Sequence, residues 1–253
     1  MDILKFDISS KFASFTKPHY NSCISTYPHI HKCAILGIIG SIIGIEKKQP
    51  IKDWTVMPRY YEELKDIDVA IVPEHIEFPV YSTKITETTG LVSGETGGVL
   101  VTSMDLLCSP KWTIYLDLKD NKYKDKIIKY LINKECIFLP YLGRNSFPAT
   151  IDNVELLSGE NITKPNKIDS FYFEEDFKHY EDEDEESYSG QIFYTPVGYR
   201  KNLNLYEEKK VVLNNDNIEE VNTKNNLIKV KDKTLFMIWK RPPYWWSFII
   251  FKG

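Results

Sequence analysis

The sequence predicts an α+β protein: a βαββαβ unit over residues 1–160, interrupted by a β-hairpin, and a smaller β-rich unit over residues 161–253. Three observations predict it. Short alternating runs flank two stretches whose apolar residues recur at helical spacing. A Thr-, Ser- and Gly-rich stretch lies between the second and third of those runs. From Pro165 onward the composition shifts to short β-type runs divided by Asn- and Asp-rich turns.

Ile3 to Ile8 alternates and reads as the first strand. Ser9 to Pro28 is polar and irregular, with Lys11, Lys17, His19 and Tyr20. A helix is expected from His31 to Ile45, where Gly37, Gly40 and Gly44 share one face and predict close approach to a sheet. Ile67 to Val72 is the second strand. Thr83 to Thr102, KITETTGLVSGETGGVLV in its body, reads as strand, glycine turn, strand. Trp112 to Leu118 is the third strand, and its tryptophan is expected in the core. Asp120 to Lys134 places Ile127, Ile128, Leu131 and Ile132 at helical spacing with lysines opposite. Thr150 to Leu157 is the fourth strand. This order is the ferredoxin-like plan, which RNA-recognition (RRM-like) modules also use and which hosts many functions. In the second unit, Gln191–Val197, Lys209–Leu213, Ile228–Val230 and Thr234–Trp239 read as strands, and the tail KRPPYWWSFIIFKG as a docked strand.

Composition narrows the class. Of 253 residues, 42% are apolar and 13% aromatic, ample for a packed core. Cys23, Cys33, Cys108 and Cys136 lie far apart with no CxxC pair, so zinc spacing is absent and reduced thiols in a cytoplasmic protein are expected. No basic segment followed by an apolar stretch opens the chain, so no signal peptide is expected. The apolar run Cys33 to Ile45 falls short of the roughly 20 residues that span a bilayer, so no membrane association is expected. The formal net charge is -4, but Glu174 to Glu186 holds nine acids and one lysine. Outside that tract, read as a solvated acidic loop, the balance is +4.

Two separated segments carry more. One is FDISSKFASFTK (Phe6–Lys17), followed by TYPHIHKCAILGIIGSIIGIE (Thr26–Glu46); the other is YLGRNSFPATI (Tyr141–Ile151). Each pairs a hydrophobic element with a Gly- or Ser-containing turn bearing a cation, and SPKWTIYL (Ser109–Leu116) lies between them. Their order and spacing resemble the fifth family of CRISPR-associated proteins, of the RAMP superfamily, in its type I-B form. The resemblance covers roughly the first 157 residues. It implies a noncatalytic subunit that caps the 5′ handle of CRISPR RNA in the Cascade surveillance complex. The partners it implies are CRISPR RNA, the large and backbone subunits and, through the complex, target DNA. The hairpin matches the family's thumb by position.

The residues suited to RNA are cations and hydrogen-bond donors near turns. Lys32 stands at the start of the apolar helix, where a phosphate would meet free N–H groups, and is expected to be exposed. The family has Pro-Pro-Arg-Thr there; Ile30-His31-Lys32-Cys33 keeps the charge and loses the bidentate fork. The Gly143–Ser146 turn lets backbone approach a phosphate, with Arg144 and Asn145 adding donors. Lys84 sits on the Thr-rich hairpin, Lys111 precedes Trp112, and Lys11, Lys17 and Tyr27 complete the set. A rival reading is a metal-independent endoribonuclease processing precursor CRISPR RNA. Tyr27, His29, His31 and Lys32 supply the residue types, and a type I-C branch of the family cuts RNA with tyrosine, lysine and histidine. His29 and His31 lack further ligands for a metal, and no cofactor is expected.

Overall fold

Leu4, Phe6 and Ile8 point to one side of the first strand and Ile3 to the other, and both sides are buried. That double burial sets the architecture. The structure is a computed structural model and describes residues 1–18, 23–45, 57–87, 99–163, 165, 167–179, 191–200, 205–213, 218–221 and 227–238. It is a mixed α+β fold, mostly sheet with few helices. In chain order its elements are β1 (Asp2–Ser9), β2 (Phe12–Ala13), β3 (Cys23–Ile24), α1 (Lys32–Ile42), α2 (Arg59–Leu64), β4 (Asp68–Pro73), β5 (Val80–Glu87), β6 (Leu100–Cys108), β7 (Lys111–Asp117), α3 (Lys124–Ile132) and β8 (Thr150–Ser158). There follow β9 (Glu160–Asn161), β10 (Tyr172–Phe173), a 3-10 turn (Glu174–Asp176), β11 (Phe177–His179), β12 (Gln191–Tyr199), β13 (Tyr206–Leu213), β14 (Ile218–Val221), β15 (Leu227–Val230) and β16 (Lys233–Phe236).

The main sheet is antiparallel with order β4-β7-β1-β8. Its register sets Leu4 opposite Leu116, Phe6 opposite Ile114 and Ile8 opposite Trp112. These side chains face α1, eight of whose eleven residues are buried. Each fully buried Ile or Leu there contributes roughly 1.5–3 kcal/mol of burial. The opposite face, at Ile3, Ala70 and Tyr115, is covered by Ile228, Val230, Leu235 and Met237 of and beside the β15–β16 pair. Buried side chains from Leu4 to Ile238 form one continuous cluster, so the segments before and after residue 160 share a core.

The helix α1 starts where His31 Nδ1 accepts from the Ala34 N–H at 3.2 Å. It ends on Gly44 at φ +76°, with Ile45 N–H donating to Gly40 O and Gly44 N–H to Ser41 O, the two bonds of a Schellman cap. The glycine face expected against a sheet meets helix α2 at Gly37 and Gly40, while Gly44 meets Ile137. Tyr60 of α2 lies over Gly37 and Gly40, and a Cβ on Gly40 would sit 2.8 Å from the Tyr60 Cβ. The sequence reading missed α2, whose Tyr60, Tyr61 and Leu64 carry too short an apolar pattern to register.

The expected hairpin forms from β5 and β6, with Lys84 opposite Ser103; residues 88–98 of the 83–102 stretch lie outside the described residues. The acidic tract differs from a simple loop over its first half. Glu174–Asp176 form the 3-10 turn, Glu174 and Glu175 pair with Lys210 and Lys209 of β13, and β11 pairs with β14. Residues 180–186 and the aromatic tail lie outside the described residues.

The expectation that Lys32 is exposed is overturned. It is 1% exposed, and its ammonium donates to the Ile238 carbonyl at 3.0 Å. Ile238 also exchanges two backbone bonds with Val69 of edge strand β4. A cation placed at the first position of a helix that faces the core has no route to solvent, so it takes the nearest carbonyl. Burial pulls its pKa from 10.5 down to about 8, partly offset by Asp68.

Two outcomes follow from this packing. Gly143 has φ +85°, and a Cβ there would lie 1.8 Å from the Ser14 carbonyl oxygen. Gly143→Ala should therefore lower the urea-unfolding free energy by about 2–4 kcal/mol. Between about pH 8 and the ordinary lysine range, the unfolded chain holds a proton that folded Lys32 has released. Stability contributed by this site therefore rises with pH through that window, by on the order of 1 kcal/mol per pH unit. Urea midpoints of wild type against Lys32→Met at pH 7 and pH 9 should show the wild type gaining on the variant; parallel behaviour would refute it.

Candidate nucleic-acid interface

Strand β6 gathers most of the expected RNA-binding residues. Along one edge it pairs with β5, and along the other with β2 and then β3. Lys11 leads directly into β2; it is exposed, with its ammonium 5.7 Å from the Phe12 ring centre. The turn carrying Arg144 and Asn145 is held against the same strand. Ser14 N–H donates to Leu142 O at 3.2 Å, and the Phe12 and Phe147 rings lie 6.2 Å apart. Within the turn, Leu142 N–H donates to Phe147 O and Phe147 N–H to Arg144 O. Asn145 is exposed and Arg144 half-buried. The close backbone approach that requires Gly143 is to Ser14 of this chain, which corrects the reading of that glycine as room for a phosphate.

Lys17 lies on a small hairpin that brings residues 15–17 against 25–27. Tyr27 N–H donates to Phe15 O, and Lys17 N–H to Ser25 O, each at 2.9 Å. Its ammonium sits 5.7 Å from the Tyr27 ring centre. Lys84 is exposed on β5. Lys111 is tied to Glu74 at 2.7 Å, which raises its pKa, and lies on the sheet face that also carries Asp7. That pairing leaves Lys111 a weaker partner for phosphate than its position suggests.

The cluster of the nuclease reading is packed into the core. Tyr27 is buried and its hydroxyl donates to Glu208 Oε1; burial first, then that carboxylate, raises its pKa. The indole N–H of Trp112 donates to His29 Nδ1 at 3.3 Å. The proton of His29 is therefore on Nε2, which faces Ile76 O at 2.9 Å and Gln191 Oε1 at 3.1 Å. His31 spends Nδ1 on the helix cap and packs edge-on against Phe15, Tyr27 and Tyr206. Burial lowers the His29 pKa to about 4 and the His31 pKa to about 3, so both imidazoles are neutral at physiological pH. Trp112 lies fully in the core, as expected. Among the described residues no cluster of three His, Cys, Asp or Glu could hold a metal, and no helix is long and apolar enough to cross a membrane.

Beside β6 the structure opens a cleft of about 570 Å³, lined on its polar side by Lys17, Ser25, Asp105 and Glu208 and on its apolar side by Val80 and Tyr194 among others. Asp105, Tyr194 and Glu208 were not legible as site residues. They are brought together from three distant segments, and no local spacing marks them.

The family described as CRISPR-associated protein (Cas_Cas5) matches residues 3–225. No curated protein sequence matches the chain. Its fold is similar to that of a chain in a CRISPR RNA-guided surveillance complex, at 13% identity over 87% of this chain and 90% of that one, with TM-score 0.52. It is also similar to a CRISPR protein from Archaeoglobus fulgidus, at 11% identity over 95% of this chain and all of that one, with TM-score 0.50. The family match spans far more than half the sequence, and the chain belongs to the CRISPR-associated Cas_Cas5 family.

Proposed function

We propose that this chain is a noncatalytic CRISPR RNA-binding subunit of a type I-B-like Cascade complex in the cytoplasm. It caps the 5′ handle of the guide and links the large and backbone subunits, meeting target DNA only through the complex. In this reading the β4-β7-β1-β8 sheet is the ferredoxin-like RAMP core and the β5–β6 hairpin is its thumb. The observation that carries it is the convergence of Lys11, Lys17, Lys84, Arg144 and Asn145 around strand β6. A short row of cations and amide donors positions a phosphate backbone without reading bases. Membership in a CRISPR effector family and similarity to a surveillance-complex chain support the same reading.

The absence of catalysis is supported by the packing of the rival cluster. A general base needs reach to the 2′-OH and a pKa near neutrality. His29 and His31 are buried, bonded to this chain's own groups and held neutral far below that range. Lys32 is spent on Ile238 O and removed from the phosphate-binding set. Replacing these histidines by alanine would remove core contacts and a helix cap, so loss of function in such variants would report stability.

Three outcomes test the reading. Lys11→Ala and Arg144→Ala should each weaken binding of handle RNA by about 1–3 kcal/mol while leaving the thermal midpoint unchanged. Log affinity should fall linearly with log salt, less steeply in each variant; a flat salt response would count against phosphate-led binding. The chain alone, incubated with repeat RNA and a chelator, should release no fragment ending in a cyclic phosphate. Release of that fragment would make it a nuclease.

A further inference from the structure

We propose that the cleft between Lys17 and the Ser25–Pro28 stretch, the base of the β5–β6 hairpin and strand β12 takes a single unstacked nucleobase that presents N–H donors, guanine above the others. This rests on the RNA-binding reading and deepens it from backbone grip to base selection.

The charge of the cleft argues against a phosphate. Its lining holds one ammonium, Lys17, and two carboxylates, Asp105 and Glu208. Asp105 is held in place by two hydroxyls, Ser82 Oγ at 2.6 Å and Ser25 Oγ at 3.1 Å. Glu208 is held by the buried Tyr27 hydroxyl. Each carboxylate has about four acceptor sites, so these bonds orient it and leave further sites for a ligand. An oriented carboxylate selects for N–H groups, and the guanine Watson–Crick edge offers an imino and an amino donor side by side; uracil offers one N–H between two carbonyls.

The walls argue for a flat, apolar-faced ligand. Tyr194 is 60% exposed and Val80 57% exposed, both lining the cleft. Tyr194 is anchored through its neighbour Phe193, whose ring packs against His29 and Phe171 at 5.2 Å from each. An exposed ring on a rigid strand beside an apolar side chain is a stacking platform, and a base can stack there whatever its identity. Lys17, which lines the cleft with its ammonium 5.7 Å from the Tyr27 ring centre, supplies the cation for the phosphate of the same nucleotide.

The test uses octamer RNAs of uridine carrying one central guanosine, inosine or abasic site, against the all-uridine octamer, with affinities from fluorescence anisotropy. Wild type should prefer the guanosine octamer by about tenfold, the value of one good carboxylate–base pair. Inosine, which lacks the amino group, should fall between guanosine and the abasic site. In Glu208→Gln, which keeps the bond to Tyr27, the ratio of the guanosine to the all-uridine affinity should drop to near one, whereas Tyr194→Ala should weaken both octamers. A wild-type ratio near one overturns the cleft proposal, and is the outcome expected if the cleft instead receives a cationic side chain of a neighbouring protein. A ratio that survives Glu208→Gln, or affinities that Tyr194→Ala leaves unchanged, overturn it as well. The two readings fail differently. All-uridine binding that is sensitive to Lys11→Ala but blind to base sinks the cleft alone, whereas no binding of any octamer sinks the RNA reading and the cleft with it.

Discussion

The fold depends on burying both faces of one antiparallel sheet. Strand β1 sends Leu4, Phe6 and Ile8 toward α1 and Ile3 toward the β15–β16 pair. A sheet with two apolar faces must be covered twice. The second cover comes from the far end of the chain, so the C-terminal segment is part of the core. Lys32 and Val69 strengthen that joint, both bonding to Ile238. A buried ammonium is a costly way to do so, because desolvation opposes its charge. Breaking that contact removes a tie between the first helix and the last described residue while leaving a charge inside.

This covering also bears on where the accessible cations lie. Covering the Ile3 end of the second face leaves that face bearing Lys5, Asp7, Thr113 and Lys111, all engaged with partners in this chain: Lys5 with Glu155, Asp7 with Thr113, Lys111 with Glu74. The cations with freer access collect instead at the second sheet, where β6 is flanked by β5 on one edge and by β2 and β3 on the other. The acidic net charge of the chain is no obstacle there. Glu174 and Glu175 of the acidic tract meet Lys210 and Lys209 on β13. Binding follows local potential more than the total charge.

The cores of the segments expected as strands and helices were legible because period-two and period-3.6 patterns reflect burial that is local in sequence. Strand β7 and its core tryptophan follow from WTIYL, and the hairpin from its alternating Thr and apolar residues. The six-residue α2 and the two-residue strands were not legible, since two to six residues carry too few periods to distinguish a face. The family was legible in two short, separated segments, although identity to the similar structures is only 11–13%.

By itself the sequence determined the α+β class and the principal strands and helices, because each depends on neighbours a few residues away. Only the tertiary structure decided what the residues around His29 to Lys32 do. Their chemistry suits catalysis or phosphate binding, and nothing local says whether water reaches them. Trp112, Ile76 and Gln191 close over His29, and Ile238 closes over Lys32, from as far as 206 positions along the chain. The same is true of the Asp105, Tyr194 and Glu208 cleft. A site made by convergence has no spacing to read, because burial and proximity are set by which surfaces the whole chain brings together.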